Sequence, residues 1–372
     1  MLEKKFWVVV GTRREAIKQI PLYLEFVRLH GLQNVALIST GQHRELLEQV
    51  FRHFSVRADA NLDIMKPGQS LSECSANVLF GMNNLFRLHR PEWLIVQGDT
   101  TSASMAAIAA FQHRILIAHN EAGLRSYDLD HPFPEEGNRR IISAIANLHF
   151  APTVRAKDAL LGEGVTEDII HITGNTGIDA LKWTLKQPRP QSIDFVLRSI
   201  RSKGLKPVLL TAHRRENCDG MDDWFRALAH FLRLNPSLGL IYPMHPNHLA
   251  RAAAEKHLMS LPQAHLIAPL HYGESCHLLS QCEVVVTDSS GIQEESATLG
   301  IPTVICRKIT ERMEAVDQGL ARIAGTDPDS ILSALSWAVT RGRSSDEGSC
   351  HHLYGDGTAA QKIAAFMNAG RP

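Results

Sequence analysis

The chain has 372 residues, of which 44% are hydrophobic and 21% charged, so it is long enough for two globular domains and unlike a disordered, fibrous or disulfide-scaffold protein. Lys plus Arg and Asp plus Glu both number 39, and this balance excludes an overall field that would attract nucleic acid or an anionic membrane. Any phosphate site must therefore be local, and we expect neither a nucleic acid nor a membrane as a partner.

Short apolar runs rich in β-branched residues alternate with amphipathic stretches along the chain. They predict strands at residues 6–10, 35–39, 93–96 and 115–118, with helices at 15–29 and 102–112. The pattern restarts after Gly174, with strands predicted at 208–211, 240–243, 265–268, 283–287 and 303–306. The sequence thus predicts an α/β fold with two Rossmann-like, doubly wound parallel-sheet domains facing across a cleft, which is the default ligand site.

The six cysteines contain no C-x-x-C pair, which disfavours a structural zinc site or a redox motif and favours reduced thiols. The apolar run at residues 6–10 is too short for a signal peptide, and no later run reaches the roughly 18 apolar residues of a membrane span. We therefore expect a cytoplasmic protein without a metal site.

Residues 11–15, GTRRE, directly follow the first predicted strand and open a helix. Backbone N–H groups at such a helix start favour an anion, and Arg13 can add a charge-assisted contact. The alternative is a capped helix with two solvated arginines, and the motif alone favours that alternative.

Residues 287–295, TDSSGIQEE, form a second strand, small-residue turn and helix start. The two serines and the glycine would let a diphosphate approach the backbone, and Glu295 could accept hydrogen bonds from ribose hydroxyls. An equally good interpretation is a capping box, in which a serine caps the helix and Gln293 or Glu294 reaches back.

Three acidic residues are candidates for proton transfer. Asp99 and Glu121 lie just past the ends of predicted strands, where doubly wound sheets place their active sites, and Glu135 follows in a Pro-Phe-Pro-Glu-Glu segment. Clustered carboxylates can separate their pKa values, so that one acts as an acid and another as a base. Singly, each is more often a helix cap or a surface charge.

Two histidines also follow predicted strands in the second half. His213 lies in residues 211–216, TAHRRE, and His245 lies in residues 242–247, YPMHPN. A histidine and an arginine at adjacent strand ends could neutralise a departing diphosphate. Singly, each histidine is more often a structural hydrogen-bonding group.

Taken together, these motifs resemble the non-hydrolysing UDP-N-acetylglucosamine 2-epimerases across nearly the whole chain. The matching stretches are residues 11–22, 40–51, 67–73, 97–111, 121–139, 150–153, 173–181, 211–216, 287–295, 310–317 and 354–359. The chain departs from the family pattern at several positions, among them Asn120, Leu270 and Ser275, the last standing where an aromatic residue usually lies against uracil.

The resemblance implies a glycosyltransferase B-like architecture. Residues 1–178 would form the domain with the acid/base carboxylates, residues 179–350 the nucleotide-binding domain, and residues 351–372 a helix packing back on the first domain. It also implies a homodimer, no cofactor, and a mechanism of anti elimination of UDP to a 2-acetamidoglucal followed by re-addition to the opposite face.

The resemblance further implies roles for individual residues, carried over by position. The catalytic group would comprise Asp99, Glu121, Glu135 and His213. The substrate-binding group would comprise Arg13, Lys18, His245, Ser289, Ser290, Gly291, Glu295 and Arg312. A second, activating substrate molecule would contact Gln42, Gln69, Glu136 and Arg215, and His245 also falls where some bacterial members bind it.

Five alternative functions follow from the sequence, one of them disfavoured. The chain could interconvert UDP-N-acetylglucosamine and UDP-N-acetylmannosamine, act on a related nucleotide-acetamido-sugar, or release free sugar as a hydrolysing 2-epimerase. A glycosyltransferase of the same fold is disfavoured by the three acidic residues. A sugar-nucleotide-binding protein without turnover is the alternative of another class.

Overall fold

The computed structural model describes residues 2–42, 44–212, 220–244, 247–343 and 352–368. The chain divides into two compact units: unit 1 comprises Met1–Ala180 and Tyr354–Pro372, and unit 2 comprises Leu181–Leu353. Each unit is built on its own parallel sheet flanked by helices. The predicted α/β class and the two parallel sheets are therefore confirmed.

Unit 1 contains a sheet of seven described strands in the order β3-β2-β1-β4-β5-β6-β7, all parallel. The strands are β1 (Phe6–Val10), β2 (Val35–Ser39), β3 (Ala60–Asn61), β4 (Trp93–Gln97), β5 (Leu116–Asn120), β6 (Leu148–Ala151) and β7 (Ile170–Ile172). Every residue of β1, β2 and β4 is buried, because helices cover both faces of the sheet.

The helices of unit 1 pack their apolar faces on this sheet; on one face, for example, the Trp7 and Phe86 rings stack with centroids 5.5 Å apart. They are α1 (Arg13–His30), α2 (Arg44–His53), α3 (Leu71–Leu88), α4 (Thr101–Gln112), α5 (Glu135–Ile145), α6 (Val154–Gly162) and α7 (Thr176–Leu185), with 3₁₀ turns at Leu32–Asn34 and Glu167–Ile169. The unit boundary falls within α7.

Unit 2 contains a sheet of six described strands in the order β10-β9-β8-β11-β12-β13, again all parallel. The strands are β8 (Lys206–Thr211), β9 (Leu238–Pro243), β10 (Ala264–Ile267), β11 (Val284–Thr287), β12 (Thr303–Ile305) and β13 (Ala321–Ile323). The helices are α8 (Gln191–Arg201), α9 (Met221–Leu234), α10 (His248–His257), α11 (Tyr272–Leu279), α12 (Ser290–Thr298), α13 (Met313–Asp317) and α14 (Pro328–Arg341). Among the helices described in the two units, none is both long and apolar enough to cross a bilayer.

The strand order of each sheet reverses at one point. In unit 1 the reversal lies between β1 and β4, and in unit 2 between β8 and β11, where Thr211 and Thr287 are paired in register. At such a reversal the connections leave on opposite faces and open a crevice at the carboxyl ends of the strands. These two sheet edges are therefore the candidate ligand sites of the two units.

Nine strands agree with the sequence prediction to within a few residues: β1, β2, β4, β5, β8, β9, β10, β11 and β12. Four strands were not predicted: β3, β6, β7 and β13. Three of these are sheet edges of two or three residues, and the interior strand β6 contains the polar His149. Short or polar strands lack the apolar run on which the prediction depends.

The last described helix, α15 (Ala359–Asn368), belongs to unit 1 and packs on α1. Its first turn is capped by Asp179 of α7, whose carboxylate accepts hydrogen bonds from the backbone N–H groups of Ala359 at 3.2 Å and Ala360 at 2.9 Å. Near its other end, the Phe366 ring stacks on His171 with centroids 4.1 Å apart. A side chain distant in sequence thus caps this helix.

We expect Asp179→Ala to loosen α15, because two backbone N–H groups lose their acceptor. Loss of a cap costs about 1 kcal/mol, so amide exchange in α15 should accelerate about fivefold. Hydrogen exchange read by mass spectrometry on residues 359–368 measures this. Asp327→Ala is the control, since Asp327 caps α14 in unit 2 through Ser330 N at 2.9 Å. If amide exchange in residues 359–368 accelerates equally in Asp179→Ala and Asp327→Ala, Asp179 is not the cap of α15.

Candidate active site

The carboxyl edge of the unit 1 sheet carries two of the predicted carboxylates. Asp99 lies in the turn of residues 97–100 that joins β4 to α4, here called the 97–100 turn, and Glu121 directly follows β5. Because β4 and β5 are neighbours in register, with Gln97 opposite Asn120, the two acidic residues leave the sheet at the same edge.

Asp99 is held by a guanidinium group. Arg139 of α5 donates to Asp99 Oδ2 from Nε at 2.9 Å and from Nη2 at 2.6 Å. The third nitrogen, Nη1, donates to Glu136 Oε2 at 3.1 Å. Since both bonds to Asp99 require its oxygen to accept, the geometry suits the ionised carboxylate.

Glu121 is a buried carboxylate in a strained backbone position. Its φ of 62° lies in the left-handed region, which residues other than glycine rarely occupy. Lys18 Nζ of α1 lies 2.7 Å from Oε1 and 2.6 Å from Oε2, and the Gln97 side-chain amide donates to Oε2. The strain is maintained by these contacts, and such strain is typical of functional sites.

Glu135 and Glu136 both lie in the first turn of α5, where the helix dipole favours negative charge. Glu135 is half-buried. Glu136 is fully buried and accepts hydrogen bonds from Ser126 N at 3.0 Å and Arg140 Nε at 3.3 Å in addition to Arg139. Glu136 is thus engaged within unit 1 as an anchor for Arg139.

The other residues predicted to contact a second substrate molecule occupy separate loops. Gln42 follows β2, and its Oε1 accepts a hydrogen bond from Ser102 Oγ at 2.8 Å. Gln69 lies just before α3, with Nε2 4.0 Å from the Met65 sulfur. Arg215 lies outside the described residues, as do the predicted His213 and His245. The role of this group stays a prediction.

The start of α1 is capped from within the chain. Thr12 and Glu15 form a capping box, and Glu15 Oε2 accepts from Gly11 N at 3.0 Å and Thr12 N at 2.7 Å. Its Oε1 accepts from Thr100 Oγ1 of the 97–100 turn at 2.7 Å. The cap that the alternative interpretation expected is therefore present, and the internal carboxylate occupies two of the amides that an external anion would use. Arg13 lies half-buried at the first position of the helix.

The buried Glu15 predicts an unusual pH dependence of stability. Burial raises the pKa of Glu15 from 4.5 to about 7, against the hydrogen bonds that lower it. The folded protein then binds more protons than the unfolded chain between pH 4.5 and 7, so stability falls as pH rises through this window, by about 3 kcal/mol. Glu15→Gln should flatten the dependence, as measured by urea unfolding from pH 4.5 to 8.

Glu73→Gln is the matched control, because Glu73 occupies the same capping-box position in α3. Glu73 is exposed, and its hydrogen bonds to Ser70 hold its pKa below the usual value. Its contribution to stability is therefore present at neutral pH and is lost as pH falls, the opposite sign to Glu15. An unchanged slope in Glu15→Gln would show that Glu15 does not titrate in this window.

In unit 2 the predicted nucleotide motif lies at the strand-order reversal. Ser289 is the N-cap residue of α12, but its side chain makes no capping hydrogen bond; its backbone N–H instead donates to Thr287 Oγ1 at 2.9 Å. The capping-box interpretation of this motif is therefore wrong. Apart from its chain neighbours and its own helix, no described residue has an atom within 4 Å of the position that a Cβ on Gly291 would occupy.

Behind this helix start lies a buried polar network. Arg312 donates from Nε to Glu294 Oε1 at 2.8 Å, and Arg307 Nη1 lies 3.3 Å from Ser290 Oγ. Glu295, one turn into α12, is half-buried, and the buried Tyr272 hydroxyl lies 3.4 Å from its Oε1. Five of the predicted substrate contacts, Ser289, Ser290, Gly291, Glu295 and Arg312, thus lie on or beside α12.

Sequence reasoning missed two residues that hold the carboxylates of unit 1, namely Gln97 and Arg139. Arg139 follows Glu135 and Glu136 at helical spacings of four and three, and this pattern was a usable signal for a helical ion pair. Gln97 immediately precedes the Gly98-Asp99 pair but carries no such signal. Lys18, which was predicted to contact the nucleotide, forms a salt bridge with Glu121.

Neither a metal cluster nor a disulfide is found in the described ranges. No group of three or more His, Cys, Asp or Glu side chains there could hold a metal ion. Cys74, Cys276, Cys282 and Cys306 are buried thiols outside any disulfide. Burial raises the pKa of the Cys282 thiol to about 12, so this group is inert at neutral pH.

Two doubly wound parallel sheets, one with carboxylates at its switch point and the other with an open helix start there, define an α/β protein of the nucleotide-binding class. The family model for UDP-N-acetylglucosamine 2-epimerase matches residues 28–368. The chain belongs to the UDP-N-acetylglucosamine 2-epimerase family.

Individual relatives match nearly the whole length of the chain. The chain is 39% identical to the UDP-N-acetylglucosamine 2-epimerase of Bacillus subtilis (strain 168), over 98% of this chain and 94% of the relative. The crystal structure of the Neisseria meningitidis enzyme bound to UDP-GlcNAc superposes with a TM-score of 0.88, at 34% identity, covering 98% of this chain and 100% of that one. A structure of the S. aureus protein MnaA with UDP gives 0.86 at 34% identity, covering 99% of each chain.

Proposed function

We propose that this chain interconverts UDP-N-acetylglucosamine and UDP-N-acetylmannosamine without net hydrolysis. The observation that carries the proposal is the carboxylate edge of unit 1, where Asp99 is bound by Arg139 and Glu121 by Lys18 and Gln97. The relatives named for this activity support the substrate.

The reaction needs proton transfer at one carbon of the sugar. A carboxylate removes the C2 proton while the C1–O bond breaks, and UDP departs with the electron pair, leaving a 2-acetamidoglucal. A phosphate oxygen of UDP then adds back to C1, and C2 takes a proton on its opposite face. No electron is gained or lost overall, so the scheme calls for no cofactor.

Asp99, Glu121 and Glu135 are the proposed acid/base groups, assisted by His213. The C2 proton is weakly acidic until cleavage at C1 develops positive charge, so the departing diphosphate must be stabilised. The strained Glu121 and the guanidinium-bound Asp99 are held in fixed positions before substrate binds, which is what proton transfer requires.

Unit 2 would bind the UDP part. The side chain of Ser289 does not cap α12, and the small residues Ser289, Ser290 and Gly291 at this helix start would let a diphosphate approach the backbone. Glu295 would accept hydrogen bonds from the ribose, and Arg312, fixed by Glu294, would add positive charge. Arg13, Lys18 and His245 complete the proposed substrate contacts.

Proton NMR of UDP-N-acetylglucosamine incubated with the protein in D₂O tests the proposal. We expect deuterium at C2 and an equilibrium mixture of the two UDP-sugars. Free N-acetylmannosamine formed in step with UDP would instead identify a hydrolysing 2-epimerase. Binding of UDP with no exchange at C2 would identify a binding protein without turnover or a glycosyltransferase.

Compartment and assembly are proposed on separate grounds. The four cysteines in the described ranges form no disulfide, which supports a reducing compartment, and we propose the cytoplasm. We also propose a homodimer, which light scattering on the purified protein would check. A monomer at micromolar concentration would contradict this assembly without touching the proposed reaction.

A further inference from the structure

We propose that His119 and Asn138 are positioning residues that hold Asp99 through the two backbone carbonyl groups on either side of its Cα. The inference rests on the proposed function, because only there is Asp99 an acid/base group.

His119 binds the first of these carbonyls. It lies in β5, fully buried, with Nε2 2.8 Å from Gly98 O. A carbonyl oxygen can only accept, so Nε2 carries the proton. Burial, together with the nearby His149, lowers the pKa of His119 to about 3. The ring is therefore neutral at pH 7, with a single N–H directed at the turn.

Asn138 binds the second carbonyl. It lies in the first turns of α5, buried, and its Nδ2 donates to Asp99 O at 2.9 Å. The next residue, Arg139, donates to the Asp99 carboxylate itself. Residues from two different elements thus fix the peptide group before Asp99, the peptide group after it and its side chain.

This support matters because the turn contains a flexible residue. Gly98 has a φ of 68°, and among the described residues a Cβ there would meet no atom nearer than Glu121 Oε2 at 4.0 Å. Without His119 the peptide group between Gly98 and Asp99 can rotate and carry the carboxylate away. Displacement of a catalytic group by about 1 Å costs roughly 100-fold in rate.

Four variants separate positioning from mere packing. His119→Leu removes the donor, and His119→Gln restores an N–H at a similar distance from Cα. Asn138→Asp keeps the shape but replaces the donor with an acceptor. His149→Leu is the matched control, since His149 is buried and pairs with His119 in register on β6, with no hydrogen bond to the 97–100 turn among the described residues.

Hydrogen exchange on the 97–100 turn is the first readout, and it is independent of turnover. We expect faster exchange in His119→Leu and Asn138→Asp, wild-type exchange in His119→Gln, and no change in this turn in His149→Leu. Wild-type protection of the turn in both His119→Leu and Asn138→Asp, or the same loss in His149→Leu, would overturn the proposal.

The second readout is deuterium incorporation at C2 of the UDP-sugar. We expect kcat to fall roughly 100-fold in His119→Leu with KM within about threefold, and His119→Gln to recover most of the loss. In an Asp99→Asn background, His119→Leu should lower kcat by less than about threefold further, because its effect passes through Asp99. The same 100-fold loss in that background would overturn the proposal. If the wild-type protein incorporates no deuterium at C2, the proposed function is refuted instead. Amide hydrogen exchange in the 97–100 turn would then still test whether His119 and Asn138 hold Asp99 in place.

Discussion

Asp99→Asn and Glu121→Gln should each lower the rate of proton exchange at C2 of the UDP-sugar by about 1000-fold. Positioned acid/base groups typically contribute between about 100-fold and 10,000-fold, and both side chains are bound as carboxylates, by Arg139 and Lys18 respectively. The amide variants keep the size of the side chain but cannot accept a proton. Deuterium incorporation followed by NMR measures the loss.

UDP binding provides the internal check on these variants. Apart from Arg13 and Lys18, the residues proposed to contact the substrate lie in unit 2, so calorimetric affinity for UDP should stay within about threefold of wild type. Glu167→Gln is the control for the loss of a carboxylate as such, because Glu167 is exposed and pairs with Lys157 at 2.6 Å. Exchange at C2 that survives in both Asp99→Asn and Glu121→Gln would remove these residues from the chemistry.

Gly291→Ala should weaken UDP binding at least tenfold, or about 1.4 kcal/mol, while leaving the fold intact. Within the described part of the chain, the added methyl group would meet no atom outside its own helix, and alanine stabilises a helix relative to glycine by up to about 1 kcal/mol. Only a ligand that approaches the backbone would be obstructed. Calorimetry with UDP and thermal unfolding of the same variant measure the two effects, which we expect to have opposite signs.

Gly162→Ala is the matched control for this substitution. Gly162 ends α6 in unit 1, and a Cβ there also meets nothing within 4 Å. It should bind UDP like the wild type. If Gly291→Ala binds UDP with unchanged affinity, the diphosphate is not held at the start of α12, and the assignment of Ser289 and Ser290 fails with it.

Most of the strands that the sequence predicted are buried along most of their length; the partly buried edge strand β10 is the exception. β1 and β2 are buried at every residue and therefore read as unbroken apolar runs. β3 and β13 lie at sheet edges with exposed residues, and β6 has a buried histidine that interrupts its apolar pattern. Local hydrophobicity therefore identifies a strand most readily where its surroundings demand a run of apolar side chains.

The candidate site shows the same division. The positions of Asp99 and Glu121 past strand ends followed from the strand pattern, because parallel strands present their carboxyl ends at one edge. The side chains that bind Asp99 and Glu121 could not be predicted from the strand pattern. Arg139 is 40 residues from Asp99, and Lys18 is 103 residues from Glu121. The N-terminal motif was also ambiguous until Glu15 was seen to occupy its amides.

By itself, the sequence determined the α/β class, most of the buried strands, and the acidic and small-residue motifs that follow them, because all of these depend on neighbours in the chain. Only the tertiary structure decided which helix start is capped and which is open, and which cations bind which carboxylates. Those outcomes depend on side chains brought together across the sheet, and hydrogen bonds a few ångströms long cannot be inferred from residues separated by tens of positions.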